Sequence, residues 1–209
     1  MHPAFSVIFF TVTSGAGYGL ISLLCLFNFL YLGMLLDKYT FFICASVSLA
    51  LFTMGLISST FHLANPKNAW RAFMRFRTSW LAREGLLAII FYPILFLYLY
   101  LIYIDFQLNN FMIMQAYSFF IFTLSVLIIY CTGMIYACLK TIPQWNTFWT
   151  PVNYITIGVV LGGLIFFFIL ELNHYNINPY KYYLLSAILF SLFTKLTYYY
   201  SIRVPRHNI

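Results

Sequence analysis

Charged residues are scarce in this chain. Only 7% of its 209 residues are Asp, Glu, Lys or Arg, and only four of these are acidic. An ordinary soluble domain is about 25% charged. Hydrophobic residues make up 63% of the sequence. A soluble fold cannot bury that much apolar surface, because the surface that faces water needs polar side chains. The scarcity of charge therefore excludes a soluble globular domain and indicates an integral membrane protein.

Metal-binding cysteine motifs are also absent from the sequence. The four cysteines, Cys25, Cys44, Cys131 and Cys138, all fall inside long apolar stretches, and no two of them form a Cys-x-x-Cys pair. Neither a zinc site nor an iron–sulfur site is indicated by such spacing. We expect the cysteines to be buried structural thiols inside helices.

The sequence contains several long apolar stretches with few charged residues. A helix needs about 20 apolar residues to cross the hydrocarbon core of a bilayer. The stretches that meet this length are Phe5–Leu36, Thr40–Leu63, Gly85–Ile104, Phe111–Leu139, Val152–Leu172 and Tyr180–Ile202. A β-barrel is the alternative, but barrel strands alternate apolar and polar residues, and residues 161–170 do not. We predict an all-α fold, a polytopic transmembrane bundle of about six spans that forms a single transmembrane domain over residues 1–209.

The basic residues flank the spans and divide unevenly between the two membrane faces. One face carries Lys67, Arg71, Arg75, Arg77, Arg83, Lys140, Arg203 and Arg206. The other carries Lys38 and Lys181. The positive-inside rule places both termini and the 64–84 connection in the cytoplasm. Anionic lipid head groups beside the spans explain the net charge of +7, so we expect a lipid bilayer and no nucleic acid as partner.

Two glycine pairs indicate how helices pack. Gly15 with Gly19, and Gly158 with Gly162, are separated by four residues within apolar stretches. Small residues at this spacing allow two helix backbones to approach closely. We predict that they pack helices of this chain against each other; a groove for a flat ligand against a glycine face is the alternative.

The connection between the second and third spans has an amphipathic pattern. Asn65-Pro66 is typical of a helix start, and at about 100° per residue the apolar stripe consists of Ala69, Phe73, Phe76 and Trp80. The opposite face holds Arg71, Arg75 and Thr78. This pattern predicts a helix that lies in the membrane interface, with its arginines outward. The residues that we assign to partner docking, or to a simple interfacial position, are Arg71, Arg75, Arg77, Trp80 and Arg83.

His62 and Glu84 lie at the two ends of this connection. His62 ends the second span and Glu84 begins the third, so a helical hairpin returns both to one membrane face at similar depth. An ionisable residue at membrane depth is costly and is by default a functional hypothesis. A neighbouring imidazole and carboxylate suit quinol oxidation, which needs an acceptor for the proton of a ring hydroxyl. The plainer alternatives are an ion pair of Glu84 with Arg83 or a loop arginine, and an interfacial His62.

Several segments match a known family. They are FHLANPKNAWRAF at 61–73, RTSWLARE at 77–84, HPAFSV at 2–7 and TSGAGYG at 13–19. These segments resemble the membrane anchor subunit of dimethyl sulfoxide reductase-type molybdoenzymes. Members usually have about eight spans, whereas this chain has room for six, so the final pair is either missing or naturally absent.

The resemblance implies a haem-free subunit of the bacterial-type inner membrane, without an iron–sulfur cluster of its own, that binds menaquinol or ubiquinol. Electrons would pass to an iron–sulfur electron-transfer subunit and then to a molybdopterin catalytic subunit, in anaerobic or respiratory electron transport. The family associates the histidine before the loop and the glutamate at its end with the quinol site. These positions match His62 and Glu84.

Three other functions compete with a quinol-binding anchor. A cytochrome b needs two facing histidines at one depth, but His62 and His174 end spans on opposite faces, about 30 Å apart. A transporter would place Pro93 or Glu171 on its pathway, but broken helices at matching places in two halves are not evident. A purely structural tether is the third. We predict a quinol-binding anchor, which is not a complete enzyme alone and supplies the quinol oxidation site of an oxidoreductase complex.

Overall fold

Six helices account for most of the chain. The structure, a computed structural model, describes residues 5–30, 36–60, 74–105 and 110–203. The helices are α1 Phe5–Phe29, α2 Lys38–Thr60, α3 Trp80–Tyr103, α4 Phe111–Ala137, α5 Trp149–Leu172 and α6 Asn178–Arg203. These ranges contain no strand. The predicted all-α transmembrane bundle is therefore confirmed.

The helix count and the span count differ by one. Within the described ranges, helices α1 to α5 are long and apolar enough to cross a membrane. Helix α6 has 26 residues, or about 39 Å at a rise of about 1.5 Å per residue, so its length also suffices. Its composition is less apolar, because it includes Lys181, Lys195 and Arg203. The sixth predicted span thus exists as a helix, but hydropathy alone supports five spans.

Side-chain hydrogen bonds show which helix ends and connections lie together at one end of the bundle. The hydroxyl of Ser58, near the end of α2, donates to the carbonyl of Ser6, near the start of α1, at 3.0 Å. The hydroxyl of Tyr198, near the end of α6, donates to the carbonyl of Gln144, between α4 and α5, at 3.2 Å. We call this end the N-terminal face. Helix α2 therefore ends at this face.

The other end of the bundle holds the alternate connections. The hydroxyl of Tyr175, after α5, donates to Oδ1 of Asp37, before α2, at 2.5 Å. Lys38 forms an ion pair with Asp105, which follows α3. Consecutive helices therefore run antiparallel, and we call this second end the opposite face.

Helix α1 lies at the centre and packs against α2, α4 and α5. Its contact with α5 depends on glycine. A Cβ added to Gly19 would lie 2.0 Å from the carbonyl oxygen of Gly158, and one added to Gly162 would lie 2.2 Å from the amide nitrogen of Leu20. The predicted packing of the two glycine pairs is confirmed, and it joins α1 to α5.

The interfacial helix predicted between the second and third spans lies largely on residues 61–73, outside the described residues. Its described end, Met74–Thr78, is a turn in which the amides of Thr78 and Ser79 donate to the carbonyl of Arg75. Ser79 has an extended backbone, and its hydroxyl accepts the amide of Ala82 at 3.4 Å, so it caps α3. The predicted stripe is therefore wrong at this end, because the cap separates Phe76 from Trp80, which begins α3.

Three of the four cysteines lie where they were predicted. Cys25, Cys44 and Cys131 are free thiols buried inside α1, α2 and α4. Cys138 is exposed and lies just beyond the last residue of α4. The prediction of a buried helical thiol is wrong there, because the helix ends one residue earlier.

Candidate functional site

Glu84 is a buried carboxyl in the second turn of α3. Only 3% of its surface is exposed. Thr132 of α4 directs its hydroxyl to Oε1 of Glu84 at 2.5 Å, and the same Oγ1 lies 3.1 Å from the carbonyl of Ile128. Helix α3 starts at Trp80 and not at Gly85, so Glu84 lies inside the helix and faces its neighbour α4.

No described cation neutralises Glu84. Within the described ranges the one ion pair is that of Lys38 with Asp105, at the opposite face. The adjacent Arg83 is engaged elsewhere: its Nε donates to the carbonyl of Phe76 at 3.0 Å, and its Nη2 to that of Arg77 at 2.7 Å. The predicted alternative of a Glu84–Arg83 ion pair is therefore wrong.

Arg83 holds the turn against the start of α3. Its guanidinium lies 4.2 Å from the centre of the Trp80 ring, which packs edge-on against Tyr130 at 5.9 Å. Arg75 and Arg77 lie exposed in the turn beside it. Arg71 lies outside the described residues. The described arginines are thus on the surface of the N-terminal face, and their role in partner docking stays a prediction.

The second predicted quinol residue, His62, also lies outside the described residues. Its neighbour in the described chain, Thr60, ends α2 at the N-terminal face, where α3 starts. Glu84 lies at that face as predicted, while the distance between His62 and Glu84 stays a prediction. His174 follows α5 at the opposite face.

Tyr18 of α1 is a polar residue near Glu84 that sequence reasoning missed. Its ring stacks on Phe52 at 4.7 Å and meets Phe91 edge-on at 5.4 Å. Only 2% of Tyr18 is exposed, and its hydroxyl has no hydrogen-bond partner among the described residues. The hydroxyl lies close enough to Glu84 to interact with it electrostatically. Its location in the family-like segment 13–19 was the available signal.

A cavity of about 390 Å³ lies at the N-terminal face, between α1, α4, α5 and α6. Tyr136 and Tyr154 form one wall, with their rings stacked at 5.4 Å, and Trp145 packs edge-on against Tyr136 at 5.4 Å. Gly15 and Gly158 form another wall, at the near end of the α1–α5 contact. The lining is thus mainly aromatic and apolar.

Glu84 lies close to the tyrosine wall of the cavity. Tyr136 follows Thr132 by four residues, or one turn of α4, so it stands directly above the partner of Glu84. A charge on Glu84 acts electrostatically on both Tyr136 and Tyr154. The carboxyl therefore adjoins the cavity without lining it.

Comparison with known proteins identifies the family. Residues 1–206 match the family described as DMSO reductase anchor subunit (DmsC). The chain belongs to this anchor-subunit family. It is also 33% identical over 176 residues to a sulfite dehydrogenase subunit of Allochromatium vinosum, a match that covers 79% of this chain and 54% of the relative. The chain thus spans about half the length of that curated relative. No solved structure matches it.

Membership of the DMSO reductase anchor family confirms the resemblance noted in the sequence. The chain is a multi-pass membrane protein of a family of anchor subunits of molybdoenzyme complexes. In the described ranges, no three His, Cys, Asp or Glu side chains lie together as metal ligands. Among the described acidic side chains, Glu84 is the one that the bundle buries.

Proposed function

We propose that this anchor subunit binds a quinol at the N-terminal face and passes its electrons to the iron–sulfur subunit of a molybdopterin oxidoreductase. The observation that carries the proposal is Glu84, a buried carboxyl that no described cation neutralises. An ionisable residue enclosed at membrane depth is costly and marks function by default. Oxidation of a quinol releases protons as well as electrons, so it needs such a group as base.

The contact with Thr132 allows Glu84 to hold and to release a proton. A threonine hydroxyl has one proton to donate and lone pairs that accept. When Glu84 is ionised, Thr132 donates to its Oε1. When Glu84 has taken a proton, it can donate to Oγ1 of Thr132, which then donates to the carbonyl of Ile128, 3.1 Å away. The hydrogen bond between Glu84 and Thr132 is thus kept in both states, whereas a buried polar group without a partner would cost about 1–3 kcal/mol.

The family resemblance assigns His62 to the same site. An imidazole titrates near neutral pH and accepts a hydrogen bond in its neutral form, so it suits the second ring hydroxyl of a quinol. In this proposal the substrate is menaquinol or ubiquinol and the membrane is the bacterial inner membrane. The exposed turn with Arg75 and Arg77, on the same face as Glu84, is the docking surface for the iron–sulfur subunit.

Single substitutions in the assembled complex test this proposal. We expect Glu84→Gln and His62→Ala each to lower quinol-driven reduction by about 10²–10⁴-fold, the usual effect of losing a positioned acid–base group. Activity with an artificial dye that feeds the catalytic subunits directly should stay normal. Glu171→Gln is the matched control, because Glu171 is an exposed glutamate near the opposite face.

Two results would contradict the proposal in different ways. Normal quinol activity in both variants would show that the site assignment is wrong. An equal loss of dye activity from the membrane fraction would show instead that these residues hold the complex together, as in a structural tether.

A further inference from the structure

We infer that the cavity between α1, α4, α5 and α6 binds the aromatic head group of the quinol, and that Lys195 contacts a ring oxygen there. This inference rests on the proposed function and gives the substrate a location beside Glu84. The volume of about 390 Å³ is within the range of about 300–1,000 Å³ that small-molecule sites occupy. Such sites combine apolar and aromatic walls with a few polar groups that fix the orientation of the ligand.

Lys195 is the cation of this cavity. It lies eight residues before Arg203, the last residue of α6, which places it about 12 Å inside the helix end. It pairs with none of the four acidic side chains of the chain, all of which are described. Its ammonium lies 5.3 Å from the ring of Tyr198 and 5.4 Å from that of Tyr199. A half-buried cation without a carboxylate retains donors for a ligand oxygen.

Three other polar side chains of the cavity donate hydrogen bonds within the protein. The amide of Asn153 donates to the carbonyl of Trp149 at 2.8 Å, and the hydroxyl of Thr150 donates to that of Trp145 at 2.7 Å. Tyr198 is bonded to Gln144. Lys195 is therefore the charged side chain of the cavity that can orient a polar ligand atom.

The walls of the cavity suit a flat ring. Gly15 and Gly158 present backbone without side chains on one wall, and the stacked pair of Tyr136 and Tyr154 provides aromatic contact on another. Aromatic rings gain from offset or edge-on packing against each other. A planar head group can thus lie between the glycine backbone and the tyrosine rings.

The rim of the cavity opens to the outside of the bundle. Ile8, Val12 and Ile157 line the cavity and are 45%, 49% and 38% exposed. In a membrane these apolar side chains face hydrocarbon. An isoprenoid tail attached to the head group can therefore extend through this opening into the bilayer, which favours a quinol over a water-soluble ligand.

A binding titration of the full chain in lipid nanodiscs tests the inference directly. The probe is 2-methyl-1,4-naphthoquinone with one isoprenoid unit, which quenches tryptophan fluorescence. We expect Lys195→Met to weaken binding by about tenfold, the effect of losing one charge-assisted hydrogen bond, and Lys195→Arg to keep most of the affinity. Lys181→Met, in the exposed start of α6 at the opposite face, should not change it. Trp145→Phe should remove part of the quenching amplitude.

The outcomes separate this inference from the proposed function. If Lys195→Met and Trp145→Phe bind and quench like the wild type while Glu84→Gln abolishes quinol activity, the quinol site exists but not in this cavity. If the wild type instead retains a tightly bound phospholipid that the naphthoquinone does not displace, and Lys195→Met loses it, the cavity is a lipid site and the inference is wrong. If Glu84→Gln keeps full quinol activity and the wild type binds no naphthoquinone, the proposed function itself fails.

Discussion

Thr132 is the residue that determines how Glu84 is held. We expect Thr132→Val, which keeps the shape and removes the hydroxyl, to lower quinol-driven activity, because Glu84 then loses its described hydrogen-bond donor. Thr132→Ser restores a hydroxyl at the same position and should recover most of the rate. Dye-driven activity of the complex is the control. Equal quinol activity in the valine and serine variants would show that the hydroxyl has no part in the reaction.

Sequence alone could predict Glu84 but not its surroundings. With four acidic residues in the chain, a glutamate at the start of an apolar stretch is conspicuous. Thr132, 48 residues away on another helix, is one of many hydroxyl residues in apolar stretches, and nothing in its spacing indicates which of them meets Glu84. The same holds for Lys195, because its helix neighbours and the cavity arise from the packing of four helices.

At the scale of elements, the contact of α1 with α5 is the most specific packing in the bundle. We expect Gly19→Ala to destabilise the protein by about 1–3 kcal/mol, because the new methyl group would overlap the carbonyl of Gly158 and force the helices apart. Gly15→Ala is the matched control one turn earlier, where a Cβ lies 4.0 Å from the Cα of Gly158. Thermal unfolding in detergent measures both. A Gly19→Ala melting temperature equal to that of Gly15→Ala would contradict the close contact.

The connections at the opposite face are linked by a hydrogen bond that depends on pH. The bond from Tyr175 is the largest factor that holds the pKa of Asp37 below its usual value. Because the native pKa is lowered, the contact stabilises the protein above about pH 4 and is lost as Asp37 is protonated in the native state. We expect Tyr175→Phe to lower the melting temperature by about 1–2 °C at pH 7, since exposed contacts contribute little.

That difference should disappear in acid. The control is Tyr182→Phe, an exposed tyrosine near the start of α6. If Tyr175→Phe remains less stable than the wild type at a pH where Asp37 is protonated, the ring of Tyr175, and not its bond to Asp37, carries the contribution.

The existence of the helices could be predicted from hydropathy, but their exact bounds could not. Length and apolar composition predicted all six helices, since a bilayer requires every backbone polar group to be satisfied within a helix. The start of α3 was misplaced, because Ser79 caps the helix ahead of the polar residues that we had assigned to the loop. A periodic stripe cannot reveal such a cap, since Phe76 and Trp80 keep helical spacing across it.

At the scale of the whole molecule, the structure and the charge distribution together predict the orientation. The antiparallel helices place the turn at Met74–Thr78 at the N-terminal face and Asp105 at the opposite face. The basic residues are concentrated at the N-terminal face, so the positive-inside rule assigns that face to the cytoplasm. Reporter fusions after Ile209 and within Lys67–Arg77 should therefore both report a cytoplasmic location, and a fusion near Asp105 an external one.

Opposite results at all three positions would reverse the orientation and place the proposed docking turn outside the cell membrane. A mixed result, with Ile209 and Asp105 on one side, would instead contradict the membrane crossing by α6, the helix whose composition is least apolar.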